Sequence, residues 1–258
     1  KHVEELKELG VTTVPGVYSA AECARFVSIC KGLLESGRVS KPEVQESDAR
    51  HVDTQNIWNF FRHDENLLPL VTNEPMDEIL KSMIDADYTM TGANIINRQR
   101  LTKDAVVGNY ATGWHTDSRY TGSPPIRLDK GFCFSVVIML DDFTNDNGAT
   151  HYIPRSHLER SRPDRDGEYK EHAIMTGEAG TMVIFDSGLW HRGGSSSDKS
   201  RWGVFSLYSP WYVKPYFRYS DMMGKEFGER TSPLLRRLFH YDSQPPLNEM
   251  ERVNTLVK

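Results

Sequence analysis

The spacing of hydrophobic positions along the chain changes near residue 88. Before it, "SAAECARFVSICKGLLES" places apolar side chains at helical spacing, and "PMDEILKSMIDADY" repeats the same period. Ser19 is followed three residues later by Glu22, which predicts a capping box at the start of the first of these helices. Residues 1–87 are therefore predicted to be mainly helical.

After residue 87 the apolar runs become short, β-branched or aromatic, and Gly, Pro, Asn and Asp separate them, which is typical of strands. The strand candidates are "YTMTGANIINRQRL", "DAVVGNYATG", "GFCFSVVIML", "GTMVIFDSG" and "RWGVFSLYSPWYV". Long helical patterns do not alternate with them, so antiparallel strands in a sandwich or barrel are favoured over a parallel sheet.

The chain of 258 residues is long enough for one large domain and short for two. We predict a single domain with three consecutive segments. They are a helical front (1–87), a β core (88–215) and a C-terminal helical cover (216–258).

Composition narrows the expected partners and location. Net charge is −5, with 38% hydrophobic and 26% charged residues, so no broad basic field is expected for nucleic acid or an anionic membrane. The longest apolar run, "FCFSVVIML", is too short to span a bilayer, and "KHVEELKELG" at the start has no signal-peptide character. Three cysteines without a CxxC pair fit free thiols in the cytoplasm. Nothing in the sequence predicts an oligomeric state.

The stretch "GWHTDSRY" raises the possibility of a metal site. His115 and Asp117 stand two positions apart, and on a strand or turn such residues project to the same side. A redox metal such as Fe(II) can be held on one face by two His and one carboxylate, which leaves the other face open. Among the remaining histidines, His191 follows a strand candidate and precedes small residues that leave room for a ligand.

Arg201 stands ten residues after His191, at the head of another apolar strand candidate. A partly buried guanidinium needs an anion, and the distal carboxylate of an α-keto acid would supply one. The alternative is that Arg201 pairs with an internal carboxylate such as Asp186. His-x-Asp and a lone His are also common by chance.

These blocks together resemble the Fe(II)/2-oxoglutarate-dependent oxygenases. The segment "LDDFTNDNGATHYIPRSH" (140–157) is similar to the signature of the phytanoyl-CoA dioxygenase (PhyH) family, with an Asp-rich turn, Asn-Gly and Pro-Gly-Ser-His. The resemblance runs from about residue 88 to 213 and is weaker in the N-terminal helices. One departure is Arg155, which stands where the family usually has Gly, and it puts the geometry of that turn in question.

The resemblance implies a mainly β protein with flanking helices around a double-stranded β-helix, the jelly-roll or cupin-like core. It implies Fe(II) bound by His115, Asp117 and His191, with 2-oxoglutarate and O2 as co-substrates and Arg201 on the distal carboxylate. Thr150 and Asn97 are candidate contacts of 2-oxoglutarate, and Gln99 competes with Asn97. The implied reaction is hydroxylation of an unactivated C–H of a small-molecule metabolite, with succinate and CO2 as products. The retained Asp117 favours oxygenation over halogenation.

The substrate is expected to carry an anionic group, because positive charges flank the His-x-Asp motif. They are Arg98, Arg100, Lys103, Arg119 and Arg127. Strand alternation puts Arg98 opposite Asn97, so if Asn97 faces the co-substrate, Arg119 becomes the best candidate, with Trp114 as a further substrate contact. A solvated rim is the simpler account of these charges. The alternative to an enzyme is a catalytically inactive β-helix protein that acts as a metal-dependent binder or sensor.

Overall fold

The computed structural model describes residues 1–37, 39, 54–84, 86–98, 113–117, 132–159, 161–194, 199–246 and 248–250. Its α-helices are α1 (His2–Leu9), α2 (Ala20–Glu35), α3 (Glu74–Met83), α4 (Tyr219–Met223), α5 (Lys225–Arg230) and α6 (Pro233–Leu238). Its strands are β1 (Val11–Val14), β2 (Thr54–Trp58), β3 (Tyr88–Arg98), β4 (Phe134–Met139), β5 (His151–Tyr152), β6 (Ala173–Ile174), β7 (Met182–Asp186), β8 (His191–Arg192) and β9 (Arg201–Pro210). Three 3₁₀ helices cover Phe60–Arg62, Glu65–Val71 and Ser156–Leu158.

The strands form two antiparallel sheets. The major sheet has six strands in the order β1-β7-β4-β9-β3-β2, and the minor sheet has three in the order β6-β5-β8. An apolar cluster joins the two, because Val137 and Phe185 of the major sheet pack in one group with Tyr152 and Ile174 of the minor sheet. Two packed antiparallel sheets with helices against the outer face make the predicted jelly-roll core, and this prediction is confirmed.

Strand alternation divides the major sheet between two cores. On β4, Val136 and Ile138 pack into the large cluster shared with the helices, whereas Val137 and Met139 pack between the sheets. Side chains of consecutive strand residues point to opposite faces, so a strand buried on both sides is apolar at most positions, and Ser135 is the polar residue of β4. The inner face is the one that reaches the candidate site.

The helix predicted at residues 19–36 forms as α2, and its capping box is present. The Glu22 backbone N–H donates to Ser19 Oγ over 3.3 Å, and the Ser19 N–H donates to Glu22 Oε2 over 2.8 Å. Cys23, Phe26 and Cys30 point from α2 into the large core, as their spacing predicts. Local sequence signals were therefore sufficient for this helix.

The front of the chain contains α1, α2 and α3, and it also supplies both edge strands of the major sheet. β1 pairs with β7, and β2 pairs with β3, each in antiparallel register. Both strands have five residues or fewer, which is too short to show an alternating hydrophobic pattern in the sequence. Each is extended because it pairs with a longer strand. The boundary drawn at residue 88 therefore does not separate helices from sheet.

The strands predicted after residue 87 fall into two groups. Four of the five candidate runs contain observed strands, which are β3, β4, β7 and β9. The fifth run, "DAVVGNYATG", lies outside the described residues except for its last glycine, Gly113. In the predicted cover, α4, α5 and α6 pack Tyr219, Phe227 and Leu238 into the large core.

Among the helices of the described residues, none is both long and apolar enough to cross a bilayer. All three cysteines are buried and free, and burial raises the pKa of the Cys30 and Cys133 thiols to about 12. They pack as small hydrophobic groups.

Arg155 adopts the left-handed conformation, with φ 70°, where the related family usually has glycine. Its backbone N–H donates to the Leu9 carbonyl over 2.8 Å, so the turn that glycine would make is kept. The side chain lies near Glu8 on the surface, with Nη1 3.4 Å from Oε1. The departure from the family motif therefore leaves the turn in place and strains one residue.

We expect Arg155→Gly to stabilise the protein. Left-handed backbone costs a non-glycine residue about 1–2 kcal/mol, and part of this is offset because glycine makes the unfolded chain more flexible. A net gain of up to about 1 kcal/mol corresponds to a rise in Tm of about 2–4 °C for a domain of this size. Thermal unfolding followed by circular dichroism measures it. Arg155→Ala is the control, since it keeps the strain and loses the Glu8 contact; a glycine variant that melts no higher than this control contradicts the interpretation.

Candidate active site

His115 and His191 are brought together by their own backbones. The two residues form an antiparallel bridge, in which each N–H donates to the other's carbonyl, over 2.9 Å from His115 and 3.0 Å from His191. Their ring centroids lie 4.3 Å apart. The pairing ties the His-x-Asp segment to the minor sheet, because His191 belongs to β8.

Asp117 joins the two histidines from the same segment. Its backbone N–H donates to the Ser187 carbonyl over 2.9 Å. Its Oδ1 lies 3.7 Å from Nε2 of His115 and 3.4 Å from Nε2 of His191. Its Oδ2 accepts a hydrogen bond of 2.7 Å from the hydroxyl of Ser135 on β4. One carboxylate oxygen is thus held by the major sheet, and the other faces the two imidazoles.

The three side chains have the donor set and the orientation of a metal site. Nδ1 of His115 lies 2.8 Å from the Gly113 carbonyl, and Nδ1 of His191 lies 2.9 Å from the Leu189 carbonyl. A carbonyl accepts only from N–H, so each Nδ1 carries the proton and each Nε2 lone pair is available to a cation. One ligand atom from each of the three residues lies within 4.8 Å of the other two. Two imidazoles and one carboxylate on one face suit Fe(II).

The electrostatics of the triad favour a bound cation. Burial would raise the pKa of Asp117, but His191 and His115 hold it well below its usual range, so the carboxylate is ionised. Burial, followed by the charge of His191, lowers the pKa of His115 and keeps its imidazole neutral. Burial also opposes charge on His191, but the adjacent Asp117 carboxylate prevails and raises its pKa. A metal ion would balance the charge of the Asp117 carboxylate in the same way as a proton on His191 does.

A second charged group in the same cavity consists of two buried arginines. Arg201 begins β9 and Arg98 ends β3, and the two are direct partners in the antiparallel register. Both donate to the Gly148 carbonyl, over 2.6 Å from Arg201 Nη2 and 3.1 Å from Arg98 Nη1. The guanidinium carbon of Arg201 lies 3.9 Å above the centroid of the Phe143 ring.

Arg201 forms no salt bridge with a described residue, and the attraction of Asp141 is outweighed by burial and by Arg98. Its Nε and Nη1 are buried and make no hydrogen bond to a described residue. Burial and the neighbouring Arg98 lower its pKa to about 9. Asp186, the internal carboxylate considered as a partner, instead accepts a 2.7 Å hydrogen bond from the Gly188 N–H. A buried cation of this kind is stabilised by an anionic ligand.

Gly148 makes room for this pair of arginines. Its φ is 77°, and a Cβ there would lie 2.6 Å from Nη1 of Arg98. The backbone conformation favours glycine here, and a larger residue would displace the Arg98 guanidinium. The Asn-Gly of the recognised motif thus shapes the arginine end of the cavity.

The triad and the arginines line one cavity of about 400 Å³, a size ordinary for a small-molecule site. Its lining among the described residues is Asn56, Trp58, Gly92, Asn94, Ile96, Arg98, His115, Asp117, Ser135, Val136, Val137, Thr150, Phe185, His191, Gly193, Arg201, Phe205, Ser206, Leu207 and Tyr216.

The other predicted contacts are placed differently from one another. Thr150 lines the cavity, as expected for a co-substrate contact. Asn97 does not line the cavity, and its amide donates to Gln55 Oε1 over 2.9 Å. The residues of β3 that line the cavity are Asn94, Ile96 and Arg98, on the opposite face of the strand. Arg98 therefore faces inward where the prediction had it facing away.

Trp114 also lies outside the cavity lining. It is buried, with the Arg192 guanidinium 4.5 Å from its ring and Tyr169 packed against its edge. Arg119 and the competing candidate Gln99 lie outside the described residues, as do Arg100, Lys103 and Arg127.

The Pro-x-Ser-His motif supports the site without lining it. Ser156 Oγ accepts a 2.8 Å hydrogen bond from the Trp190 N–H and donates over 2.7 Å to the Ile153 carbonyl. It thereby fixes the residue just before His191. Sequence reasoning missed Ser135 altogether, because an isolated serine in an apolar strand carries no local signal of its partner.

The profile of the phytanoyl-CoA dioxygenase (PhyH) family matches residues 6–203. This chain belongs to the PhyH family. The match begins in α1 and so includes the N-terminal helices, where the resemblance seen in the sequence is weaker. Dioxygenase af480 from Aspergillus fumigatus is 33% identical over 246 residues, which are 90% of this chain and 74% of that protein. Dioxygenase cdmA from Talaromyces verruculosus is 26% identical over 234 residues, 83% of this chain and 73% of its own.

Solved structures share the fold. HygX from Streptomyces hygroscopicus, solved with nickel and 2-oxoglutarate, has a TM-score of 0.63 at 12% identity and covers 86% of this chain and 93% of its own. The epimerase SnoN, in complex with Fe³⁺, α-ketoglutarate and nogalamycin RO, has a TM-score of 0.62 at 18% identity, with 88% and 87% covered. The recognition of the family and the fold class are confirmed. As a PhyH protein with an intact His-Asp-His triad, the chain is an iron- and 2-oxoglutarate-dependent dioxygenase.

We expect Ser135→Ala to weaken metal binding in this PhyH protein about 10–100-fold, because a hydrogen bond that orients a ligating carboxylate is lost. Titration of the metal-free protein with Mn²⁺, followed by calorimetry, measures this without turnover. Ser206→Ala is the matched control, since this buried hydroxyl lies on the neighbouring strand β9 and is not bonded to Asp117. Equal Mn²⁺ affinity in Ser135→Ala and the unaltered protein would show that Asp117 does not need the serine.

Proposed function

We propose that this dioxygenase hydroxylates an unactivated C–H bond of a small-molecule metabolite and forms succinate and CO2 from 2-oxoglutarate. The observation that supports it most directly is the shared cavity, which is lined both by a triad suited to Fe(II) and by a buried arginine that forms no salt bridge with a described residue. When bound, iron would supply the activation of O2 and the oxidation of the C–H bond.

His115, Asp117 and His191 would hold the iron from one side, so that the cavity side stays open to co-substrate and O2. The backbone bridge between the two histidines and the bond from Ser135 keep the three groups in place without a metal. The protein's contribution here is fixed geometry, which lowers the cost of assembling the reacting groups.

Arg201 would bind the distal carboxylate of 2-oxoglutarate. Its Nε and Nη1 have no other partner among the described residues, and either one can form a two-bond fork to a carboxylate together with the second N–H of Nη2, the geometry that makes arginine pairs with carboxylates strong. Arg98 adds positive charge at the same end of the cavity, and Thr150 offers a hydroxyl there. Asn97 is not part of this proposal, because its side chain lies on the other face of β3.

The prediction of an anionic substrate rests on charges that lie mostly outside the described residues, namely Arg100, Lys103, Arg119 and Arg127. Arg98 is the one member of that set with a described position, and it lies beside Arg201, at the end proposed for the co-substrate. Arg119 remains a predicted substrate contact. Trp114, which is covered by Arg192 and Tyr169, supports the His115 segment instead.

Asp117→Ala tests the reaction. It removes a ligand and the charge that balances the metal, so we expect succinate formation from Fe(II), 2-oxoglutarate and O2 to be lost. The assay is succinate release over a metabolite library, with substrate-dependent succinate identifying the substrate and mass spectrometry identifying an added oxygen. A catalytically inactive binder, the alternative function, would release no succinate with any candidate, and full turnover by Asp117→Ala would remove the triad from the mechanism.

Arg201→Ala tests the co-substrate site. Loss of a buried charge-assisted pair costs about 3–5 kcal/mol, so 2-oxoglutarate should bind at least a hundredfold more weakly. Arg201→Lys should recover only part of the affinity, because lysine has no planar fork. Calorimetry with the Ni²⁺-loaded protein measures both variants. Arg230→Ala, on the surface and paired with Glu65, is the control, and normal 2-oxoglutarate affinity in Arg201→Ala would place the anchor elsewhere.

A further inference from the structure

The cavity has a second wall that the iron and co-substrate roles leave unused. It lies on β2 and β3, at the edge of the major sheet farthest from β1. The metal triad lies over β4 and β7, where Ser135 of β4 donates to Asp117 and Phe185 of β7 packs against His191. Asn56 and Trp58 face the second wall from β2, Asn94 faces it from β3, and Tyr216 follows β9. This β2–β3 wall is therefore available to the substrate that is oxidised.

Around Asn94 the β2–β3 wall carries no charged residue among those described, since Arg98 lies at the far end of β3. Among the described lining residues, the charged groups are Asp117, which belongs to the metal triad, and Arg98 and Arg201, which share the Gly148 carbonyl. Along β3, Asn94 precedes Arg98 by four residues, which in a strand is about 13 Å. The β2–β3 wall thus presents neutral groups to a ligand.

Two aromatic rings give the wall a broad apolar surface. A Cβ at Gly92 would lie 2.7 Å from Cδ2 of Tyr216, so glycine is what allows the tyrosine ring to lie directly on β3. Trp58 is 38% exposed and packs against Phe217, with ring centroids 5.8 Å apart. Rings held in this way contribute apolar contact area with little loss of conformational freedom.

The polar element of the wall is an amide pair. The side chain of Asn94 donates to that of Asn56 over 2.9 Å, and neither side chain bonds to another described residue. One hydrogen bond uses one N–H and one carbonyl, so the pair keeps a further carbonyl and further N–H groups whichever way the amides are turned. No atom of either side chain is both buried and unpartnered, so the remaining amide groups are open to the cavity, where a polar group of a ligand can take the place of water.

We propose that Asn56 and Asn94, flanked by Trp58 and Tyr216, recognise the substrate, and that this substrate is an uncharged, largely apolar ring compound with a hydroxyl or carbonyl group. The ring packs on the aromatic side chains, and its polar group completes the hydrogen bonds of the amide pair. Compounds of the same shape without that group are rejected because they leave the amides unpaired. This inference rests on the proposed function, since it assigns the remaining wall of the same cavity.

The test uses three probes that share one ring system, namely 2-naphthol, naphthalene and 2-naphthoate. Each is titrated by calorimetry into protein loaded with Ni²⁺ and saturating 2-oxoglutarate, so that no turnover occurs and the arginine end is occupied. We expect 2-naphthol to bind more tightly than the other two. Asn94→Leu should weaken 2-naphthol binding about threefold to tenfold, the contribution of one hydrogen bond, and leave naphthalene binding unchanged or stronger.

Asn97→Leu is the matched control. It removes a buried amide from the same strand, but on the face away from the cavity, so the affinities of the three probes should not change. Asn56→Leu, on the edge strand β2, tests the same amide pair if Asn94→Leu does not fold.

Three results overturn the proposal while 2-oxoglutarate binds normally. One is that 2-naphthoate binds most tightly, which would show an anion-selective wall. Another is that 2-naphthol affinity is unaffected by both asparagine variants. The third is that no probe binds. Failure of the proposed function is distinguishable, because the Ni²⁺-loaded protein would then not bind 2-oxoglutarate before any probe is added.

Discussion

The backbone pairing of His115 with His191 is the contact on which the site depends. It joins residues 113–117 to β8 of the minor sheet and places the two imidazoles side by side. Because both Nδ1 atoms face carbonyls of their own segments, the Nε2 atoms turn toward Asp117 without help from a metal. The metal site is in this sense prepared by the main chain.

The cavity keeps its opposite charges apart. Asp117 lies with the imidazoles, and Arg98 and Arg201 share a single carbonyl at the end of β3 and the start of β9. Two guanidiniums side by side destabilise each other, and burial adds to this cost. The apolar clusters on both faces of the major sheet stabilise the protein and offset this local destabilisation. A ligand that is anionic at one end and binds a metal at the other would relieve both demands.

The alternation of side chains along β3 explains why Arg98, and not Asn97, lines the cavity. Asn97 and Arg98 are neighbours in sequence, so one must face the cavity and the other must not. The sequence contains both as plausible contacts of an anion, and nothing local chooses between them. The antiparallel pairing of β3 with β9, in which Arg98 is opposite Arg201, makes the choice. A shift of one residue would have reversed every side chain on the strand.

The sequence by itself determined the elements with strong local signals and the chemistry of the ligands. The capping box of α2 and the long strands β3, β4, β7 and β9 could be read from residue types and spacing, which also marked His115, Asp117, His191 and Arg201 as candidates. Only the resemblance to the PhyH family selected these four as one site. The family motif also marked Gly148 and the turn at Arg155, although not why each is needed. What only the tertiary structure decided is which distant residues meet. The register of β3 with β9 places Arg98 beside Arg201, and that of β3 with β2 places Asn56 within reach of Asn94. Ser135 meets Asp117 because the His-x-Asp segment lies over β4. All three contacts join remote segments and leave no periodic trace in either one.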